Sequence, residues 1–262
     1  MLPECLKMPL RKLILQVRVL LVKEAEVFAP HGIRVQLPRN TDLGLQFRLA
    51  RGIPHEAAEC RMVRRYLSRD TNVLELGGSV GIISATIREV IGPKAFHLII
   101  EANSDLIDTC RSNASIDSQP GTVVVLNAAV DYSGAAMVRF CSSSDALGGH
   151  LAAPGEHGRF VPATTLRQIS DQMPAGNFAL ICDIEGAEFD LFVNETSCLN
   201  RIALIILETH PAQYTNGLGD VMRIHELLVA SGFEKIDAEH DVVTYRRVPE
   251  KSSSTRSPTS SV

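Results

Sequence analysis

The chain has 262 residues, a formal net charge of −4 and 5% aromatic residues. That charge excludes the basic footprint of a nucleic-acid binder, and the length suffices for one α/β domain with short extensions. Its six cysteines, Cys5, Cys60, Cys110, Cys141, Cys182 and Cys198, form no C-x-x-C and no zinc-type spacing with histidine, which implies reduced thiols, a cytoplasmic setting and no structural metal.

In chain order, Leu10, Leu13, Ile14, Val17, Leu21, Ala25 and Phe28 recur at helical spacing. Arg11, Lys12, Arg18 and Lys23 keep any apolar run well short of the roughly 20 residues that a membrane span needs. No small-residue cleavage site follows. The segment reads as a packing or self-association helix, with a membrane-surface helix or an organelle presequence as the weaker alternatives. Pro30–Gly52 is a loop-rich connector with short strands expected at Arg34–Leu37 and Leu45–Arg48. A helix is expected over His55–Ser68, with Cys60, Val63 and Leu67 on one face. The organisation is thus residues 1–52 as extension and connector, 53–248 as the domain and 249–262 as a tail.

The stretch Val73–Gly81 reads V-L-E-L-G-G-S-V-G. Val73, Leu74 and Leu76 make a buried parallel strand. Gly77, Gly78 and Gly81 make a turn that lets backbone approach a ligand closely, and Ile83, Ile87, Val90 and Ile91 form a helix stopped by Gly92-Pro93. Ser79 and Ile82 break the G-x-G-x-x-G register of a pyrophosphate site. What stands is an acid followed by x-G-x-x-x-G, which suits a cofactor without phosphate. Glu75 is hard to rationalise beside a pyrophosphate and easy beside an ammonium.

A second strand, Phe96–Ile100, ends in Glu101, an acid where a ribose site needs one because two carboxylate oxygens accept both hydroxyls of a diol. Asn103 or Ser104 is expected to cap the next helix. Thr122–Leu126 is a third strand, after which Asn127-Ala128 offers an amide that could read an adenine edge or serve in a turn. Ala135–Phe140 reads as an exposed strand, Ser142–Gly149 as a polar segment and Leu166–Met173 as a short helix. Phe178–Cys182 is a buried strand closed by Asp183, Glu185 and Glu188, acids at the carboxyl edge where open α/β sheets put their chemistry. The dipole of a helix start explains Glu188 better than Asp183. Arg201–Leu207 is another strand, ending in Glu208-Thr-His210-Pro211. A helix through Val221–Leu228, a hairpin of Phe233–Ile236 and Val242–Val248, and a disordered Ser/Thr/Pro-rich tail complete the chain.

The pieces E-L-G-G-S-V-G, I-I-E-A-N, L-N-A-A-V, V-P-A-T-T-L, C-D-I-E-G-A-E and I-L-E-T-H-P, in that order, resemble those of the FkbM-type methyltransferases, from about Ile53 to Val248. The resemblance implies a Rossmann-like α/β fold whose seven-stranded, mostly parallel sheet has an antiparallel last strand and helices on both faces. It implies S-adenosylmethionine as methyl donor and O-methylation of a hydroxyl on a sugar or natural product. The cofactor side would be Glu75, Gly77, Gly78, Ser79, Gly81, Glu101, Ala102, Asn127, Ala128 and Asp183. Glu75, Gly78 and Ser79 stand where Asp, Ala and Asn are commoner, Ala102 replaces a usual proline, and Ile181 replaces a frequent lysine.

A hydroxyl acceptor needs a base for its proton. His210 is the best base by intrinsic pKa, Asp183 is its competitor or orienting partner, and Glu208 and Glu185 come after them. The ligand set is too incomplete to predict a metal, although Asp183, Glu185 and Glu208 could collect a divalent ion. A non-catalytic binding module and a nicotinamide-dependent oxidoreductase are the alternative readings.

Overall fold

The structure, a computed structural model, describes residues 4–21, 27–38, 41, 43–142, 149–153 and 155–249. Lys23 and Ala25 of the N-terminal segment, residues 143–148 of the polar segment and the run from residue 250 lie outside them.

The N-terminal part holds α1 (Glu4–Leu21), β1 (Val27–Phe28), β2 (Val35–Gln36), α2 (Leu43–Ala50) and α3 (Ala57–Tyr66). No helix among the described residues is long and apolar enough to cross a membrane. Two expectations fail here. Phe28 belongs to a strand, and Leu45–Arg48 is helical because Leu45 and Leu49, one turn apart, both bury against Phe28, Val35 and Leu37. The apolar stripe of α1 also faces outward at Leu10, Leu13, Ile14 and Val17, while Leu15 packs inward. Arg11 and Arg18 lie over the rings of Phe47 and Phe28, so two of the basic residues supply the contact.

Next come β3 (Val73–Leu76), α4 (Ile82–Ile91), β4 (His97–Glu101), α5 (Ile107–Ala114) and β5 (Val123–Asn127). Asn103 does not cap α5. Its side chain accepts from the Asp105 N–H in a turn that precedes the helix, and α5 starts at Ile107 without a side-chain cap. An insertion follows, made of β6 (Ala129–Val130), β7 (Met137–Ser142), β8 (Gly149–Leu151) and β9 (Arg159–Thr164). These four strands form a separate sheet in the order β6-β9-β7-β8, of which the sequence revealed only one exposed strand. A capping box at Thr165 and Gln168 then starts α6 (Leu166–Ser170). The remaining elements are β10 (Phe178–Cys182), α7 (Glu188–Asn194), β11 (Ile202–Glu208), α8 (Leu218–Ala230), β12 (Phe233–Glu239) and β13 (Val242–Arg247).

The main sheet has the order β12-β13-β11-β10-β3-β4-β5. Strands β3, β4, β5, β10 and β11 are parallel, and β13 runs antiparallel to both β11 and β12. This is a Rossmann-like arrangement, with the last strand in chain order as the antiparallel one. Alternate residues explain its continuous apolar strands. Leu74, Leu76, Leu180, Cys182, Ile205 and Leu207 pack with α6, α7 and α8 on one face, while Val73, Ala179, Ile181, Leu204 and Ile206 pack with α3 and α4 on the other. The chain leaves β3 toward β4 on one side and returns at β10 on the other, so a crevice opens between the carboxyl ends of β3 and β10.

Candidate active site

The crevice is a cavity of about 550 Å³ lined by Gly77, Ser79, Glu101, Ala102 and Ala128 on one side and Asp183, Glu185, Glu208 and His210 on the other. Of the residues expected at the site, Glu75, Gly78, Gly81 and Asn127 are not among its lining. Each has a structural engagement instead. Glu75 is fully buried, with one carboxylate oxygen 2.7 Å from His97 Nε2 and the other accepting from Ser84 Oγ at 3.0 Å. A Cβ on Gly78 would press into Ile99 and Cys110, and one on Gly81 would meet Cys110 and Asn113. Asn127 Nδ2 donates to the carbonyls of Glu101 and Ala102 at 2.9 and 3.0 Å, clipping the ends of β4 and β5 together. Its amide nitrogen is spent on backbone.

The glycine turn itself is built on its neighbours. Gly77 has φ +88°, and a Cβ there would fall on the Asp183 carbonyl oxygen. Gly77 therefore permits β3 and β10 to end side by side, rather than leaving room inside the cavity. Ser79, at φ +45°, turns its N–H onto Glu101 Oε2 at 2.7 Å. The Asn103 N–H donates to Glu101 Oε1 at 2.6 Å. Burial pushes the Glu101 carboxyl up to about 7, against the pull of these two N–H donors. Each oxygen keeps a lone pair for a further donor.

Across the cavity, His210 is held by charge. Its Nδ1 lies 2.9 Å from Glu188 Oε1, and its Nε2 lies 3.5 Å from Asp183 Oδ1 and 3.6 Å from Glu185 Oε2. Glu188, fully buried at the start of α7, also accepts from the Ile184 and Gly186 N–H groups and from Tyr214 Oη. Burial opposes the Glu188 charge, yet the His210 hydrogen bond and charge hold its carboxyl below the ordinary range. Burial lowers His210, but the Glu188 hydrogen bond and charge outweigh it, and the ring is raised to about 9. Asp183 is pushed up to about 7 by burial, with His210 pulling the other way. The buried Asp183 Oδ1 has no hydrogen-bond partner in the structure.

Glu208 faces a different neighbour. Burial and a shared hydrogen bond with Glu59 push it up to about 10, which favours its protonated form. Glu56 and Glu59 enter the cavity from the start of α3, and burial followed by Asp183 raises Glu56 as well. Neither acid stands out in the sequence as a site residue. Their only signal was the spacing of P-H-E-A-A-E ahead of an amphipathic helix, which reads as an ordinary acidic first turn. Glu188 was visible but assigned to the helix dipole, and Tyr214 carried no signal at all. Phe140 and Leu151, from the inserted sheet, complete the wall. Ile181 is buried in the apolar cluster under α3 and stays out of the lining.

No known family profile and no curated protein matches the chain. Among solved structures it is similar to fibrillarin of Aeropyrum pernix, a complex with natively bound S-adenosyl-L-methionine, at 13% identity over 69% of this chain and 67% of that one, with a TM-score of 0.42. A TehB-like SAM-dependent methyltransferase from Corynebacterium glutamicum is similar at 13% identity over 78% and 96%, with a TM-score of 0.41. The human methyltransferase 10 domain containing protein is similar at 10% identity over 90% and 94%, with a TM-score of 0.45. At such identities the likeness is one of fold alone.

Proposed function

We propose that the chain is an S-adenosylmethionine-dependent methyltransferase of the FkbM type that O-methylates a hydroxyl of a sugar or natural-product small molecule. The observation that carries this reading is a single cavity joining Glu101 and the glycine turn to the Asp183–His210 corner. Its volume is within the range of small-molecule sites. Glu101, fixed by two N–H donors, has lone pairs left for a sugar diol. The acid-rich opposite wall suits a cationic ligand. The cofactor, when bound, supplies a methyl group on a positively charged sulfur. The described cysteines are free and buried, which suits a reducing compartment such as the cytoplasm.

On this reading the proton of the acceptor hydroxyl passes to Asp183. His210, kept protonated by Glu188, faces Asp183 and stabilises its charged form. A base must be ionised to act, so the rate should rise with pH through about 7, the Asp183 value, rather than through the 6.5 of a free histidine. Deprotonation of His210 near 9 removes the countercharge and should bring the rate down again. Calorimetric titration of the purified protein with S-adenosylmethionine and, separately, NADH tests the cofactor, and a screen of sugar and polyol hydroxyls with labelled methyl donor tests the acceptor. Binding of NADH alone would favour an oxidoreductase. Binding of S-adenosylmethionine without transfer to any hydroxyl would favour a non-catalytic module.

A further inference from the structure

The inserted sheet carries a second group of ligand-type side chains, away from the Asp183–His210 corner. Cys141 and His150 are directly opposed across the antiparallel β7–β8 pair, so their side chains stand on the same face. Glu156, in the turn ahead of β9, has its carboxylate held by the Ala153 N–H at 3.0 Å. His150 Nε2 is 3.1 Å from both Glu156 oxygens. The ligand atoms of all three residues lie within 4.8 Å of one another.

A thiol, an imidazole and a carboxylate form a donor mixture suited to zinc. A tetrahedral centre with zinc–ligand bonds of about 2.0–2.1 Å sets a nitrogen and an oxygen ligand about 3.3 Å apart, close to the observed His150–Glu156 separation. An exposed His–Glu pair needs no buried thiol beside it, yet Cys141 is 8% exposed and its Sγ lies in this group. We propose that Cys141, His150 and Glu156 bind one Zn²⁺, with water in the fourth position. Cys141 binds as the thiolate; the proton that the thiol donates to the His157 carbonyl passes to buffer. The sequence hid the site because the three residues sit at C-x8-H-x5-E spacing, and only the β7–β8 register brings them together. Phe140 of β7 and Gly149 and Leu151 of β8 line the central cavity, so the cation would fix the hairpin that forms one of its walls.

The site does not rest on the methyltransferase reading, and calorimetry with S-adenosylmethionine reports separately on that. The test uses the full chain, reduced and metal-free, titrated with Zn²⁺ by calorimetry and with Co²⁺ by absorption spectroscopy. One equivalent should bind, with a sulfur-to-cobalt charge-transfer band. Cys141→Ser should erase that band, and His150→Ala and Glu156→Gln should each weaken Zn²⁺ binding by at least tenfold. His150 and Glu156 are exposed, so these two variants keep the test valid if the buried Cys141→Ser chain misfolds. His210→Ala should leave Zn²⁺ affinity unchanged. Absence of Zn²⁺ binding, unaltered affinity in both His150→Ala and Glu156→Gln, or loss of binding through His210→Ala would overturn the proposal.

Discussion

The two sides of the cavity are built on different principles. The Gly77–Glu101 side is held by main chain: Ser79 and Asn103 N–H groups fix the carboxylate, and Asn127 clips two strand ends through their carbonyls. The Asp183–His210 side is held by ionisable side chains, with a buried carboxylate behind the ring and two more in front of it. A backbone frame sets shape through donors that do not titrate, whereas a charge network sets protonation and depends on every member.

Gly77→Val breaks both sides at once and should have the largest effect. Its side chain would collide with the Asp183 backbone, so soluble folded protein should be lost, seen as aggregation or an absent unfolding transition. Asp183→Asn should separate the sides: S-adenosylmethionine affinity stays, while turnover falls by roughly 10²–10⁴-fold, the usual weight of a general base. Lost cofactor binding in that variant would instead assign Asp183 to the cofactor side. Glu188→Gln should let the His210 titration fall from about 9 toward the ordinary range, as read by NMR. It should also cost on the order of 3–5 kcal/mol in denaturant unfolding, because a buried charge loses its partner.

Glu101→Gln probes the backbone-held side and should lower cofactor affinity by about 10–100-fold, the weight of a charged hydrogen bond of about 1.5–3 kcal/mol. It also has a pH signature. The folded value of about 7 lies above the ordinary 4.5, so the native state retains a proton that the unfolded chain releases. That contribution is complete below about pH 4.5 and is lost as pH rises through about 7. Denaturant midpoints at several pH values should show the slope in the parent and a shallower one in Glu101→Gln. The smallest effect belongs to Asn127→Ala, about 1 kcal/mol of stability from the lost amide bonds.

Strand identity was legible wherever both faces of the sheet are covered, since Val73–Leu76, Phe96–Ile100 and Phe178–Cys182 have no competing pattern. Leu45–Arg48 was misread because a four-residue apolar alternation fits a strand as well as one turn of helix. At the site, Asp183, Glu101 and His210 were legible as ionisable groups at strand ends. The burial of Glu75 was not, because its partner His97 sits inside the otherwise apolar run F-H-L-I-I. Nor was the role of Glu188: burial, rather than residue type, distinguishes a clamp on His210 from a helix-dipole acid.

The position of β13 between β11 and β12 has a consequence for synthesis. During elongation, β11, which carries Glu208, emerges with one flank paired to β10 and the other open until residues 242–247 follow. The hydrogen bond from the Thr209 N–H to the Asp241 carbonyl closes that same margin. Until then the nascent chain presents an apolar strand edge, a target for chaperones and for self-pairing. A chain ending before Val242 would therefore leave β12 without its partner and an open edge at β11, the strand that ends beside His210.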